Sequence, residues 1–199
     1  MSKLSSVILF SFLSLAALGQ IAYPPQEVRI DDLPSLAANS KELSDVLTAS
    51  VATILHDKGV CCGQDSALAD SLASADPLSL KDVAAKLQGR HHLSDGRPVL
   101  VTADFWSPAA AGADNIIVAL RDKRALLMQW NSHLYVVYGV VFVESVTSNG
   151  ETTAKSNVIQ KIHLLDLRYS DSRRNVVFDR AKEGMNNVQG LLLLESKPQ

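Results

Sequence analysis

The amino-acid sequence predicts an α+β protein in which N-terminal helices pack on a C-terminal antiparallel β-sheet. Apolar residues recur at helical spacing through residues 40–89, whereas apolar runs of strand length dominate from residue 99 onward. The segment Ser148-Asn149-Gly150-Glu151 is a strong hairpin signal, so residues 140–147 and 152–165 are expected to pair antiparallel. Helices followed by strands are typical of the α+β class.

The composition bounds both the size of the fold and the kind of partner. With 199 residues, of which 47% are hydrophobic, the chain can bury one sizeable core, and we expect one domain over residues 40–199. The net charge is −2, and no run of basic residues is present. We therefore expect no binding to nucleic acid.

The first 19 residues have the pattern of a secretory signal peptide. Lys3 precedes an apolar run over 7–18 that is too short to span a bilayer comfortably, and Ala17-Leu18-Gly19 fits the rule of small residues before a cleavage site. Cleavage before Gln20 would give a secreted or periplasmic protein without a stable membrane anchor. A retained anchor is the alternative.

The helical part begins after an extended arm. Pro24, Pro25 and Pro34 predict that residues 20–39 form this arm. A capping box at Ser40 and apolar residues at helical spacing predict a helix over 40–58, and a second helix is expected after Cys62-Gly63. A third helix is predicted over 76–89.

The second half should supply the sheet. We predict a loop over 90–98, a strand over 99–103, and a loop opening at Phe105 that rims a cleft. A short helix over 115–124 should precede two central strands, from Ala125 and from His133. Further strands are expected over 158–165, near 175–180 and over 189–194.

The only two cysteines, Cys61 and Cys62, are adjacent, so they do not form the spaced framework of a secreted disulfide scaffold. They could form a strained vicinal disulfide, or one could be buried beside a reactive partner. There is no zinc-type spacing, and His91-His92 with Asp95 resembles a polar loop more than a metal site. We expect neither a metal nor a cofactor.

Three residues at element boundaries suggest nucleophilic chemistry. Cys62 precedes a helix, where unpaired backbone N–H groups would stabilise a thiolate. His133 begins an apolar strand, and Asp166 ends a later one. A thiol, a base and an acceptor that orients the base are the parts that a cysteine nucleophile needs.

These residues resemble the papain-like cysteine peptidases, and within them the bacteriocin-processing (double-glycine) peptidase-like branch. The likeness rests on three motifs between residues 40 and 180: Cys62-Gly63 at the start of a helix, His133-Leu134-Tyr135-Val136-Val137-Tyr138-Gly139, and Asp166-Leu167-Arg168. The resemblance implies a papain-like fold and a peptide or protein substrate. It also implies that Cys62 attacks an acyl carbon, that His133 takes the thiol proton and that Asp166 orients the imidazole.

Some features depart from that family. The glutamine that usually precedes the cysteine is missing from Ile54-Leu55-His56-Asp57, where His56 could serve as the oxyanion donor instead. Gly59-Val60-Cys61 is similar to the transglutaminase-like opening and would make Cys61 the nucleophile. Trp130 is expected either to wall the cleft or to be a core aromatic. The alternative function is a non-catalytic papain-like binding or structural module with Cys61 and Cys62 oxidised or buried.

Overall fold

The computed structural model of the chain describes residues 19–34, 36–56, 66–93, 95–148, 152–184 and 187–199. The predicted signal peptide up to residue 18, both cysteines and the hairpin tip at 149–151 lie outside these ranges. The α-helices found within them are α1 (Leu43–Leu55), α2 (Ser66–Ala73), α3 (Leu80–Leu87), α4 (Ala113–Arg121) and α5 (Arg180–Glu183), and a short 3₁₀ helix spans Ser172–Arg174.

The strands form one antiparallel sheet. They are β1 (Gly19–Ala22), β2 (Gln26–Arg29), β3 (Gly89–His92), β4 (Pro98–Trp106), β5 (Leu126–Trp130), β6 (His133–Ser148), β7 (Thr153–Leu165), β8 (Asn175–Asp179) and β9 (Val188–Pro198). Their order is β3-β4-β9-β5-β6-β7-β8, and β1 and β2 also pair with β6. The predicted α+β class with a large antiparallel sheet is therefore confirmed.

Strand β6 is the centre of this sheet. Every residue from Leu134 to Val140 is buried, so both faces of this half of the strand are covered. Strand β7 runs along one edge of β6, and β5, β2 and β1 follow one another along the other. Continuous burial on both faces explains why the sequence there is an apolar run rather than an alternation.

The N-terminal arm is part of the sheet. Residues 26–29 pair with residues 142–139 of β6, and the N–H of Ile30 donates to the carbonyl of Tyr138 over 2.8 Å. Gly139 permits this approach, because a Cβ atom there would lie 3.1 Å from the Val28 carbonyl oxygen. An extended conformation for the arm was expected, but its strand pairing was not.

Helix α1 covers the sheet with the apolar face that the sequence predicts. Its contacts include β5, β6 and β9. The buried apolar residues are Val46, Leu47, Val51, Ile54 and Leu55. Full burial of such a side chain contributes roughly 1.5–3 kcal/mol. The predicted capping box is displaced, since Ser40 Oγ accepts from the N–H of Glu42 and the helix begins at Leu43.

Two stretches predicted as loops are paired strands. Residues Gly89–His92 form β3 against β4, where a loop was expected over 90–98. Phe105 and Trp106 extend β4 and pair with Leu192 and Leu191 of β9. Gly190 leaves room for the Phe105 ring, since a Cβ there would lie 2.5 Å from Phe105 Cε2. Both errors have the same reason: tertiary pairing outweighs local loop propensity.

Candidate functional site

The candidate site lies where β5 turns into β6. Trp130, the last residue of β5, pairs with His133, the first residue of β6. Between them Asn131 and Ser132 have positive φ angles of 50° and 61°. Two left-handed central residues are typical of a tight type I′ hairpin turn, which fixes the register of the strands. The turn therefore sets the exposed His133 side chain at the mouth of a buried strand.

Asp166 follows the last residue of β7 and is only 3% exposed. Its Oδ1 accepts from the backbone N–H of Arg168 over 3.1 Å and from Arg168 Nε over 2.8 Å. Its Oδ2 accepts from Arg168 Nη2 over 2.5 Å. This hydrogen bonding raises the pKa of the Arg168 guanidinium, although burial opposes the shift. The carboxylate is thus satisfied by one arginine.

Arg168 also reaches His133. Its Nη1 lies 2.9 Å from His133 Nδ1, which is 35 positions away in the sequence. A guanidinium has only donors, so Nδ1 must be the acceptor, and a neutral imidazole then carries its proton on Nε2. The structure brings both His133 and Asp166 to Arg168, and within the described residues it shows no direct hydrogen bond between them.

Both predicted nucleophiles, Cys61 and Cys62, lie in residues 57–65, outside the described part of the chain. This segment joins α1 to α2, and α1 packs on the sheet strands β5 and β6, which meet at His133. His56, the predicted oxyanion donor, is exposed and directly follows α1.

Trp130 is packed as an aromatic residue among aromatic neighbours. Its ring centroid lies 5.1 Å from that of Phe178 in an edge-on arrangement and 5.7 Å from that of Tyr135. Its indole Nε1 is buried and has no hydrogen-bond partner in the described structure. These contacts favour the core alternative for Trp130 over that of a cleft wall.

Arg168 is the residue that the sequence analysis did not assign a role, although a local signal was present. The spacing Asp-x-Arg recurs at Asp95, Asp122 and Asp171. At Asp95 and Asp171 the aspartate accepts from the backbone N–H and from Nε of the arginine, whereas Asp122 accepts from Nη2 of Arg124. Aspartate commonly accepts from the N–H two residues later. The Asp166 to Arg168 contact thus follows from spacing, whereas its link to His133 is tertiary.

Cations gather around Tyr169 beside this site. The ring centroid lies 5.0 Å from Lys41 Nζ, 4.6 Å from Arg173 Cζ and 5.9 Å from Arg168 Cζ. Asp171 pairs with Arg173 as Asp166 does with Arg168. Within the described ranges, Lys41 has no carboxylate at ion-pair distance. Lys41, Arg168 and Arg173 together with Asp166 and Asp171 therefore have a formal charge of +1.

No helix in the described ranges is both long and apolar enough to cross a membrane. In the same ranges no group of three His, Cys, Asp or Glu side chains is arranged to hold a metal ion. Comparison with protein-family models, with curated proteins and with solved structures gave no significant match.

Proposed function

We propose that this protein is an exported cysteine-dependent acyl-transfer hydrolase of papain-like type, a peptidase in its most specific form, with Cys62, His133 and Asp166 as its functional residues. The observation that supports this proposal is the 2.9 Å contact between His133 and Arg168, whose guanidinium is held by Asp166. The motifs suggested His133 and Asp166 as partners because of their residue types alone. Both side chains are hydrogen-bonded to Arg168, which links them.

In this chemistry the Cys62 sulfur attacks an acyl carbon of the substrate, and His133 takes the thiol proton and delivers it to the leaving amine. Water then hydrolyses the thioester. Backbone N–H groups at the start of the following helix would hold the oxyanion, and loss of one such donor typically costs about 3 kcal/mol. In the described part of the chain, Asp166 contacts Arg168 and not His133. The Arg168 to His133 contact must therefore open before His133 can take the thiol proton, because Nδ1 accepts from Arg168 and Nε2 carries a proton while the contact persists.

A second candidate is a non-catalytic papain-like module, and one observation favours it. Both oxygens of Asp166 are occupied by Arg168, and His133 Nδ1 accepts a hydrogen bond. While that contact persists, neither ring nitrogen is free to accept a thiol proton. A protein that never breaks the contact would bind a partner without acting on it.

Alkylation with iodoacetamide at about pH 6 separates the two candidates, because only a stabilised thiolate reacts quickly below the ordinary thiol range. We expect one cysteine to react at least about tenfold faster than free cysteine. Cys62→Ala should abolish this reaction, and His133→Gln should slow it wherever the Arg168 contact opens and the imidazole takes the thiol proton. Arg97→Gln, in an exposed Asp-x-Arg pair, is the matched control and should leave the rate unchanged.

Two other outcomes have definite meanings. If the fast reaction survives in Cys62→Ala and disappears in Cys61→Ala, Cys61 is the nucleophile, as in the transglutaminase-like alternative. If both thiols react no faster than free cysteine, or if mass spectrometry of the unreduced protein finds a disulfide between them, the hydrolase proposal is wrong and the binding module stands.

A further inference from the structure

We propose that Arg168 holds His133 by donating from Nη1 to Nδ1, a contact that we call the latch. We further propose that a carboxylate group of a ligand opens the latch by accepting from Nη1 in place of the imidazole. Arg168 would both bind the ligand carboxylate and position His133. The identification of the ligand as a substrate rests on the proposed function, but the carboxylate site itself does not.

The two edges of the Arg168 guanidinium have different environments. The inner edge, Nε and Nη2, is held by Asp166, whose side chain is 4% exposed. Nη1 on the outer edge lies against the exposed His133 ring, and Nη2 lies 3.4 Å from Tyr135 Oη. The Arg168 side chain is 18% exposed. Asp166 therefore fixes the guanidinium while Nη1 remains near solvent, which gives a preorganised donor.

The surrounding charge favours an anion at this edge. Lys41, Arg168 and Arg173 surround the Tyr169 ring, and Asp166 and Asp171 neutralise only the two arginines. Lys41, which forms no ion pair with any residue that the structure describes, lies against the same ring that Arg168 contacts. An excess of one positive charge at a partly exposed surface raises the local concentration of anions.

A carboxylate is a stronger partner for Nη1 than the ring nitrogen that occupies it. A hydrogen bond from guanidinium to carboxylate is charged on both sides, and planar carboxylates match the arginine fork. Once Nη1 turns to the ligand, His133 Nδ1 no longer has to accept. The ring can then hold its proton on Nδ1, which leaves the Nε2 lone pair free to accept a proton from a thiol.

The ligand class follows from this exchange. A substrate with an acidic side chain or a free C-terminal carboxylate near the reacting acyl group would convert His133 from a donor into a base. A neutral substrate would leave the latch closed. The site would therefore select acidic acyl compounds in two ways: it would bind their carboxylate, and this binding would convert His133 to the tautomer that can accept a thiol proton.

The test is the tautomer of His133, read from long-range proton–nitrogen correlation NMR of the imidazole rings. The chain has five histidines, and the signals of His133 are identified by their loss in His133→Gln. The probe is N-acetylglutamate, and the neutral control is N-acetylglutaminamide, in which both carboxyl groups are amides. Without a probe we expect the Nε2–H form. N-acetylglutamate should move the proton toward Nδ1, whereas N-acetylglutaminamide should have no effect.

Variants give the second readout. Arg168→Lys keeps a positive charge beside Asp166 but cannot serve both edges, so it should lose the response to N-acetylglutamate. Arg97→Lys is the matched control and should keep it. An Nδ1–H form before the probe is added would overturn the proposal, as would an equal response to both probes or a response that Arg168→Lys retains.

The measurement is independent of the thiols and can be repeated in the Cys61→Ala, Cys62→Ala double variant. A latch that responds there while the natural protein shows no reactive cysteine would refute the hydrolase and retain the carboxylate site. A reactive cysteine, together with a His133 tautomer that does not respond to N-acetylglutamate, would refute the carboxylate site and retain the hydrolase.

Discussion

Arg168 donates to His133 across 2.9 Å, and through this contact the buried Asp166 is linked to an exposed imidazole. The chain has the same Asp-x-Arg spacing at Asp95, Asp122 and Asp171, where the aspartates are exposed and pair with the arginine two residues later. Only the pair at Asp166 is buried at the end of a central strand and touches a histidine. The pairing of β6 with β7 places this Asp-x-Arg motif beside His133.

Arg168→Met should destabilise the fold by about 2–3 kcal/mol, because it leaves the buried Asp166 carboxylate without its partner. The figure is below that of a fully enclosed pair, since Arg168 is partly exposed. Chemical unfolding monitored by circular dichroism measures it.

Arg97→Met is the control for that experiment and should give no measurable change, because exposed pairs contribute little. Adding Asp166→Asn to Arg168→Met should recover part of the loss, since the uncompensated charge is removed. Equal losses in Arg168→Met and Arg97→Met would show that the Asp166 pair has no special structural role.

His163 should make the fold less stable in mild acid. Burial lowers the pKa of His163, Arg29 and Lys161 act in the same direction, and Glu27, whose Oε1 lies 3.3 Å from Nε2, opposes them. A lowered pKa in the folded state means that the unfolded chain binds the proton more readily. The contribution is therefore fully present above the unfolded value of 6.5 and is lost as pH falls toward the lower, folded value.

The comparison for His163 is urea unfolding of the natural protein and of His163→Gln at about pH 7.5 and about pH 5.5. The stability difference between the two proteins should shift against the natural protein at the lower pH. A difference that is constant across this range, or one that shifts toward the natural protein, would contradict the assigned burial effect.

Gly139→Ala should loosen the N-terminal arm. The added Cβ would lie 3.1 Å from the Val28 carbonyl oxygen and 3.4 Å from Arg29 Cβ, so β2 must move away from β6. The Ile30 amide donates to the Tyr138 carbonyl, and its hydrogen exchange should accelerate at least about tenfold. This factor corresponds to a loss of about 1.4 kcal/mol in the free energy of local opening. Amides that join β3 to β4 serve as the internal control. Unchanged protection at Ile30 would show that the arm does not depend on this glycine.

The fold class could be predicted because its signals are local. The helical spacing of Val46, Leu47 and Val51 and the apolar run from Leu134 to Val140 each fit one kind of element. The pairing of β6 with β7 also followed from a short hairpin signal, and it places Asp166 beside the start of β6.

The remaining features depend on contacts between distant segments. The pairing of β2 with β6 and the packing of Phe105 over Gly190 require partners that no short window contains. The Arg168 to His133 contact is of the same kind, since either residue alone has many ordinary uses. Residue type and order suggested a histidine and an aspartate at one site, but not the arginine that separates them.

The distance between the Cys62 sulfur and the His133 ring, measured by crystallography of the protein, tests the proposed function most directly. We predict that the Cys62 sulfur lies within about 4 Å of a His133 ring nitrogen, or within that distance after one rotation of the ring, as expected for a nucleophile and its base. A His133 ring directed away from both Cys61 and Cys62, with no rotamer that returns it, would contradict the enzymatic proposal.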